Sequence, residues 1–291
     1  MPPSRRCAVS WPRSCATARS LLPHERSALS ARLTPVTWLR WLAPLGLGVL
    51  VLLAWEVAVR LTGIPVFVLP APSRILMAGL ESAPLLLSSA GYTLRLTLTA
   101  FLAAVAGGVL IAVLFTGSRL IEAALYPYAV VLQVTPVVAI APLVLIWVGV
   151  DNASTAVVLL AWIVAFFPVL SNMTLGLRAV DPGLRALFRL YGGSRWQELW
   201  RLRLPAALPY LLSAMKVSAG LSLVGVVVAE FVAGSGTSPG LAWRIIEAGN
   251  RLQTPRMFAA LLLLAAIGIG LFAVLAWLER RLLARWHDSA R

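Results

Sequence analysis

Few ionisable side chains fall within the long apolar segments of this chain. Of its 291 residues, 60% are hydrophobic and 12% are charged. The candidates for chemistry at membrane depth are Glu56, Arg60, Arg95, Lys216 and Glu230. An ionisable group inside a membrane is costly and often marks an ion or proton path. Each of the five lies within a turn or two of the end of a predicted span, so snorkelling of the side chain to the membrane surface is the simpler explanation.

The residues needed for common catalytic and metal sites are missing from the apolar segments. His24 and His287 are the only histidines and lie in predicted tails, which excludes a histidine metal site or a Ser-His-Asp array within the spans. Lys216 is the only lysine and does not belong to a phosphate-binding P-loop. Cys7 and Cys15 both lie near the N-terminus, which argues against a structural disulfide or a cysteine metal site. We therefore expect no catalytic residue, no metal and no cofactor.

The composition indicates an all-α, polytopic membrane protein. Several apolar runs reach the ~20 residues that a helix needs to cross a bilayer. The net charge is +14, but the arginines are distributed between the apolar runs and do not form one basic face, so membrane topology explains them better than nucleic-acid binding. Six spans are predicted: Trp41 to Leu61, Gly91 to Phe115, Leu125 to Val148, Ala153 to Leu175, Pro209 to Val232 and Met257 to Leu278.

The distribution of basic residues predicts the orientation of these spans. With the N-terminus in the cytoplasm, 18 of the 25 lysines and arginines lie on the cytoplasmic side. Only Arg74, Arg244, Arg251 and Arg256 fall in outer loops. The positive-inside rule then places both termini and the basic segment after the fourth span in the cytoplasm.

The first forty residues differ from the rest of the chain. Residues 1–40 are rich in arginine and serine and nearly free of acids, a composition that fits a transit peptide, a disordered tail or an overextended start site. We divide the chain into this tail, a transmembrane domain over residues 41–286, and a C-terminal tail over residues 287–291.

Prolines interrupt the third predicted span. Pro127, Pro136 and Pro142 each remove a backbone donor, and a helix broken in this way is tolerated at membrane depth only when it packs in protein or lines a wet cavity. A pathway-lining helix and a kinked buried helix both remain open. Pro136, Pro142 and Glu230 are the candidate path residues.

A polar, basic segment over about residues 176–208 separates the fourth and fifth spans. Asp181 and Pro182 predict the start of a short helix, and the glycine pair at Gly192 predicts its end. Ser194, followed three residues later by Gln197, has the pattern of a capping box that starts a second helix, which Leu204 and Pro205 are expected to close.

The second short helix has an aromatic face. Trp196, Leu199, Trp200 and Arg203 follow the spacing of one helical face. Such a face is typical of a helix at the membrane surface, with its aromatic rings among the headgroups. It is also typical of a rigid knob that docks into a soluble partner, the interpretation that we favour.

The same segment resembles a known family. Gly192, nine further residues and Leu202-Arg203-Leu204-Pro205 resemble half of the cytoplasmic "EAA" loop in permease subunits of binding-protein-dependent ABC importers. The wider stretch and Val228-Ala229-Glu230 resemble the nitrate, sulfonate and taurine branch, and the resemblance extends over about Trp41 to Trp286. One departure is that the Glu-Ala-Ala positions are occupied by Ala186-Leu187-Phe188.

The resemblance implies a bacterial inner-membrane permease that works with other subunits. Its loop would insert a coupling helix into a groove on cytoplasmic ATPase subunits, a second permease copy would complete the path, and an extracytoplasmic binding protein would deliver the solute. That solute would be a small anion such as nitrate or a sulfonate, or a pyrimidine-like thiamine precursor. The loop positions that we assign to coupling are Gly192, Ser194, Trp196, Leu199, Trp200, Leu204 and Pro205, where Trp196, Leu199 and Trp200 are chosen from the helical face and not from the family.

Two further expectations concern the outer side and a rival function. After Gly240, residues Leu241 to Glu247 have the pattern of a short amphipathic helix, and Arg244, Glu247 and Arg251 are plausible contacts for the binding protein or simply solvated charges. The alternative function is an ion-coupled secondary transporter with Glu230 in its pathway, which the lack of an obvious inverted repeat disfavours.

Overall fold

The computed structural model describes residues 36–233 and 239–283. The chain divides into two compact units, one ending at Ala58 and one beginning at Val59. Several predictions fall outside the described residues. These are the predictions for the tail up to residue 35 and for the C-terminal tail, together with those for Cys7, Cys15, His24 and His287.

All regular structure in the described residues is helical. The first helix, α1, runs over Val36–Thr62. In the second unit, α2 and α3 are followed by a shorter pair, α4 and α5, and then by the long helix α6. Two short helices, α7 and α8, precede the long helix α9, and α10 and α11 complete the fold. Their bounds are α2 Pro72–Glu81, α3 Ala83–Gly117, α4 Arg119–Val134, α5 Val137–Val148, α6 Ala153–Arg178, α7 Pro182–Leu190, α8 Arg195–Glu198, α9 Leu204–Ala233, α10 Leu241–Asn250 and α11 Thr254–Leu283.

The long helices match the predicted spans. Five helices of the described chain are long and apolar enough to cross a membrane, or six spans if the bent pair α4 and α5 counts as one. The prediction of a polytopic all-α membrane protein is confirmed. Several helices extend beyond the predicted spans, and α3 begins at Ala83, before the predicted start at Gly91, because a helix can continue past the apolar layer into the polar surface.

The third predicted span is not one straight helix. Its two halves, α4 and α5, meet at an angle of 103°. Thr135 is extended, with φ −65° and ψ 126°, and Pro136 precedes the first residue of α5. Proline disfavours the helical conformation of the residue before it and lacks an amide hydrogen, which explains the break at this position. Pro127 and Pro142 lie within helices that continue through them.

Helix α6 lies at the centre of the second unit, packed against α3 and α9. Small residues allow this close approach. A Cβ atom added to Gly225 of α9 would lie 2.7 Å from the Cα of Ala161, and one added to Gly176 would lie 3.0 Å from the Cα of Ala207. Helices in membranes associate mainly through such close packing, because lipid removes the hydrophobic driving force between them.

Candidate functional site

The connection between α6 and α9 begins with the predicted cap. The Asp181 side chain accepts hydrogen bonds from the amides of Gly183, at 2.5 Å, and Leu184, at 3.4 Å. Pro182 occupies the first turn of α7, where a missing amide hydrogen costs nothing. The predicted start of this helix is confirmed.

Glycines end α7 as predicted. Gly192 has φ +73°, the left-handed conformation that glycine adopts without steric cost. The Gly193 amide donates to the Phe188 carbonyl over 3.1 Å, a bond typical of a helix C-terminus. A Cβ atom at Gly193 would overlap the Phe188 ring, so this position also requires glycine. The chain therefore turns sharply within two residues.

The predicted capping box is present at the start of α8. The Gln197 amide donates to the Ser194 hydroxyl over 3.2 Å, and the Ser194 amide donates to the Gln197 side-chain oxygen over 2.9 Å. These two bonds satisfy donors that a helix N-terminus otherwise leaves unpaired.

A buried carboxylate joins the two short helices. Glu198 Oε1 accepts hydrogen bonds from Arg185 Nε at 3.0 Å and from Arg203 Nη2 at 2.6 Å, and Oε2 lies 3.7 Å from Arg189 Nε. The Glu198 side chain is only 4% exposed. Sequence reasoning missed this cluster. The available signal was a single glutamate, Glu198, among several arginines in the segment between α6 and α9.

Two tryptophan rings form the exposed face of the connection. Trp196 and Trp200 are 66% and 57% exposed. Their ring centroids lie 5.8 Å apart at an interplanar angle of 66°, an edge-to-face arrangement. Leu199 instead lies half-buried against the core formed by α3, α6 and α9. The sequence predicted that Leu199 shares one helical face with Trp196 and Trp200. In the structure Leu199 packs inward, and only the two tryptophan rings are exposed.

The second short helix does not end at Leu204 and Pro205, as the sequence predicted. A π-helical turn over Leu199–Arg203 joins α8 directly to α9, and the Leu204 amide donates to the Leu199 carbonyl. In an α-helix the ring of Pro205 would clash with the carbonyl four residues earlier, and a wider turn accommodates a residue that also lacks a donor. Leu204 and Pro205, both half-buried, are therefore the start of α9.

The candidate path residues lie in two different environments. Pro136 and Pro142 are exposed on the bent pair of helices. Glu230 is fully buried, where its Oε1 accepts from the Thr93 hydroxyl over 3.2 Å and its Oε2 accepts from the Ala242 amide over 3.1 Å. Glu230 therefore caps the N-terminus of α10 and ties it to α3 and α9.

Further ion pairs lie at both ends of the spans. Lys216 Nζ lies 2.6 Å from Glu279 Oε2, which gives this lysine a partner near the end of α11. In α10, which forms as predicted, Glu247 pairs with Arg244 at 2.7 Å and with Arg251 at 3.1 Å. Hydrogen bonding from Arg244 holds the pKa of the Glu247 carboxyl below its ordinary value. These charges are already paired in the isolated chain.

Comparison with known proteins assigns this architecture. Residues 104–284 match the family model for the binding-protein-dependent transport system inner membrane component. A protein of Haemophilus influenzae named as a probable ABC transporter permease is 33% identical, with 84% of this chain and 97% of that protein covered. The riboflavin transport system permease of Chloroflexus aurantiacus is 36% identical, covering 90% of this chain and 97% of the relative.

Other relatives match the branch inferred from the sequence. The formylaminopyrimidine transport permease of Halalkalibacterium halodurans is 28% identical, covering 80% of this chain and 92% of the relative, and permeases named for taurine and nitrate are also similar. A crystal structure of an amino acid ABC transporter covers 70% of this chain and 97% of its own, with 23% identity and a TM-score of 0.58, which supports the fold. The chain belongs to the inner membrane components of binding-protein-dependent transport systems and is a multi-pass permease subunit of an ABC transporter.

Proposed function

We propose that the connection from α7 to α9 is the cytoplasmic coupling element of this permease and docks into a groove on an ATPase subunit. The main support for this proposal is that the exposed Trp196 and Trp200 rings belong to a helical segment continuous with the spanning helix α9. Large exposed aromatic side chains are the usual anchors when a helix binds in a groove. Gly192, Ser194, Leu204 and Pro205 shape the element that presents them.

Movement of the docked element would reach the spans through two routes. Trp200 and α9 share one continuous helical backbone, so a push on the rings would act directly on that span. The Glu198 cluster holds α7 through Arg185 and α8 through its own backbone, so the two short helices would move together. Approach of the ATPase subunits would in this way tilt α9 against α6 and open the path alternately to each side.

The proposed cytoplasmic position of the connection implies an orientation for the whole chain and a location for the solute path. With the connection in the cytoplasm of a bacterial inner membrane, both termini are cytoplasmic and α10 faces outward. Pro136 and Pro142 would line the path beside the 103° bend, where a broken helix is tolerated next to a cavity. A binding protein would dock near Arg244 and Arg251, and Glu230 would link that outer surface to α9.

We propose a small heterocyclic solute as the substrate class, with small anions such as sulfonates or nitrate as the alternative. The support comes from relatives named for riboflavin and formylaminopyrimidine transport. ATPase activity of the complete transporter should be stimulated by a binding protein loaded with riboflavin or a formylaminopyrimidine and not by one loaded with taurine. The reverse pattern would favour the anionic class.

Co-purification tests the coupling element. The detergent-solubilised chain should retain its cognate ATPase, and the double substitution Trp196→Ala/Trp200→Ala should reduce that retention at least about tenfold, because truncating two anchors costs about 2 kcal/mol or more. Gly192→Pro should act similarly, since proline cannot adopt the φ of +73°.

The matched control is Trp147→Ala, which removes a ring that is 75% exposed at the opposite end of the spans. This control should leave ATPase retention unchanged. Equal retention by the double variant and the wild type, with both folded, would contradict the assignment.

A further inference from the structure

A basic cavity lies where α3 ends, α4 begins and α6 meets the coupling element. Its volume is about 750 Å³, and four arginines line it together with one glutamate: Arg119, Arg178, Arg185, Arg203 and Glu122. The remaining walls include the aromatic rings of Phe115 and Tyr126 and the ring of Pro127. The cavity therefore combines positive charge with apolar walls at the end of the spans.

The arginines of this cavity retain hydrogen-bonding capacity. Arg178 pairs with Glu122, and Arg185 and Arg203 share the single carboxylate of Glu198. Within residues 36–233 and 239–283, Arg119 has no hydrogen-bond or ion-pair partner for its side chain. A guanidinium carries five N–H donors, so several donors remain unused at the cavity wall. Two acids do not neutralise these four cations.

An adjoining cavity extends the positive charge. Its volume is about 730 Å³, it shares Arg185 and Arg203 with the first cavity, and it adds Arg189 and Arg195. Together the two cavities are lined by six arginines and two glutamates. Arginine forks match the oxygen geometry of phosphate groups, so this arrangement suits a phosphate-bearing anion better than a neutral solute.

Helix α4, which contributes Arg119, Glu122 and Pro127 to the first cavity, also carries exposed apolar side chains. On α4, Leu120, Leu125 and Tyr128 are 80%, 44% and 70% exposed. A lipid could place its headgroup among the arginines and its acyl chains against the exposed apolar side chains of α4. Basic pockets between spanning helices near the membrane surface commonly bind anionic lipid headgroups in this way.

We propose that the cavity lined by Arg119, Arg178, Arg185 and Arg203 binds a phosphate group, and that the membrane supplies it as the headgroup of an anionic phospholipid. The bound lipid would neutralise the arginines that the two glutamates leave in excess. It would also bridge the start of α4 and the coupling element, because Arg185 and Arg203 belong to both the cavity and the Glu198 cluster. The proposal does not depend on ATPase docking, so it is tested on the isolated chain.

Native mass spectrometry of the purified chain in detergent, titrated with phosphatidylglycerol or phosphatidylcholine, measures this binding. Wild type should retain phosphatidylglycerol in preference to phosphatidylcholine. Arg119→Gln should weaken phosphatidylglycerol binding about tenfold, the loss expected for one charge-assisted contact. Arg119 is exposed and unpaired among the described residues, so the substitution should leave the fold intact, as circular dichroism and gel filtration can check.

The matched control is Arg74→Gln, which removes one exposed arginine charge from α2, beyond the opposite end of α3. It should leave phosphatidylglycerol binding unchanged. Equal binding of the two lipids, or equal weakening by the two variants, would overturn the proposal. Displacement of phosphatidylglycerol by an equal concentration of inorganic phosphate would overturn the membrane source and identify a site for soluble phosphate instead.

Discussion

At the scale of single residues, Glu198 is the buried charged group that holds the two short helices of the proposed coupling element together. Its carboxylate is nearly buried and accepts hydrogen bonds from arginines on both sides of the turn at Gly192. Removing one partner of a buried ionic cluster is costlier than the cluster's net contribution to stability, because the remaining charges are left unpaired.

We expect Glu198→Gln to loosen the coupling element while the spans stay folded. The neutral side chain cannot balance Arg185 and Arg203, and the loss should be about 1 to 3 kcal/mol. The thermal unfolding temperature in detergent and the amount of ATPase that co-purifies should both decrease. The control is Glu122→Gln, which breaks a more exposed pair with Arg178 and should change both measurements less. Wild-type ATPase binding by Glu198→Gln would contradict the role given to this residue.

Glu230 is the second carboxylate whose environment decides its role. It is fully buried and accepts hydrogen bonds from the Thr93 hydroxyl and the Ala242 amide, so in the isolated chain it acts as a helix cap. The Thr93 hydroxyl oxygen in turn accepts from the Leu241 amide over 2.9 Å. This network explains a membrane-depth acid without requiring an ion path.

Substitution of Glu230 distinguishes a cap from a path residue. Glu230→Ala should destabilise the protein by about 1 to 3 kcal/mol, because two buried donors lose their acceptor. Gly240→Ala should act in the same direction, since its Cβ would overlap the Glu230 carboxylate. Solute uptake should fall only in proportion to the amount of folded protein. Loss of uptake by a fully folded Glu230→Gln protein would instead support a direct role in the path.

At the scale of helices, close packing of α6 against α3 and α9 holds the bundle together. Gly108 of α3 faces Val169 of α6, and Gly225 of α9 faces Ala161 of α6 at distances that leave no room for a side chain. By contrast, nothing lies within 4 Å of a Cβ atom added to Gly220, which belongs to the same helix as Gly225. The two glycines of α9 thus differ only in what they face.

This difference gives a matched test of helix packing. Gly225→Ala should lower the thermal unfolding temperature, because the added methyl group forces α9 away from α6. Gly220→Ala should leave that temperature unchanged or raise it, since alanine has the higher helix propensity. The propensity gain is common to both variants and cancels in the comparison. Equal unfolding temperatures of the Gly225→Ala and Gly220→Ala variants would show that α9 can move away from α6 without a loss of stability.

At the scale of the whole molecule, the described residues contain one segment of the kind proposed for coupling, and a bent pair of helices, α4 and α5, whose prolines are exposed. Pro136 and Pro142 lie on a surface that the isolated chain does not cover. A second permease subunit facing this surface would enclose the broken helix, which is otherwise unfavourable in contact with lipid. Two copies of this chain would also present two coupling elements to a pair of ATPase subunits.

Co-expression of two differently tagged copies tests this assembly. Capture through one tag should recover the other tag together with the ATPase, in equal amounts of the two permease copies. The Trp196→Ala/Trp200→Ala variant should lose the ATPase but keep the second copy, because the two contacts use different surfaces. If the captured complex contains the ATPase but only one of the two tagged copies, this chain pairs with a different permease.

The sequence by itself determined the spans, the two helix caps and the turn at Gly192. Each of these depends on composition or on contacts within about four residues, such as Ser194 with Gln197, and such patterns are local. Only the tertiary structure revealed that Glu198 gathers arginines from two helices, that Glu230 meets Thr93 across 137 residues, and that α8 continues into α9. The first two arrangements depend on how the helices pack against one another, which no local pattern of residues encodes. The third depends on a π-helical turn before Pro205, and a proline at such a position more often marks the end of a helix.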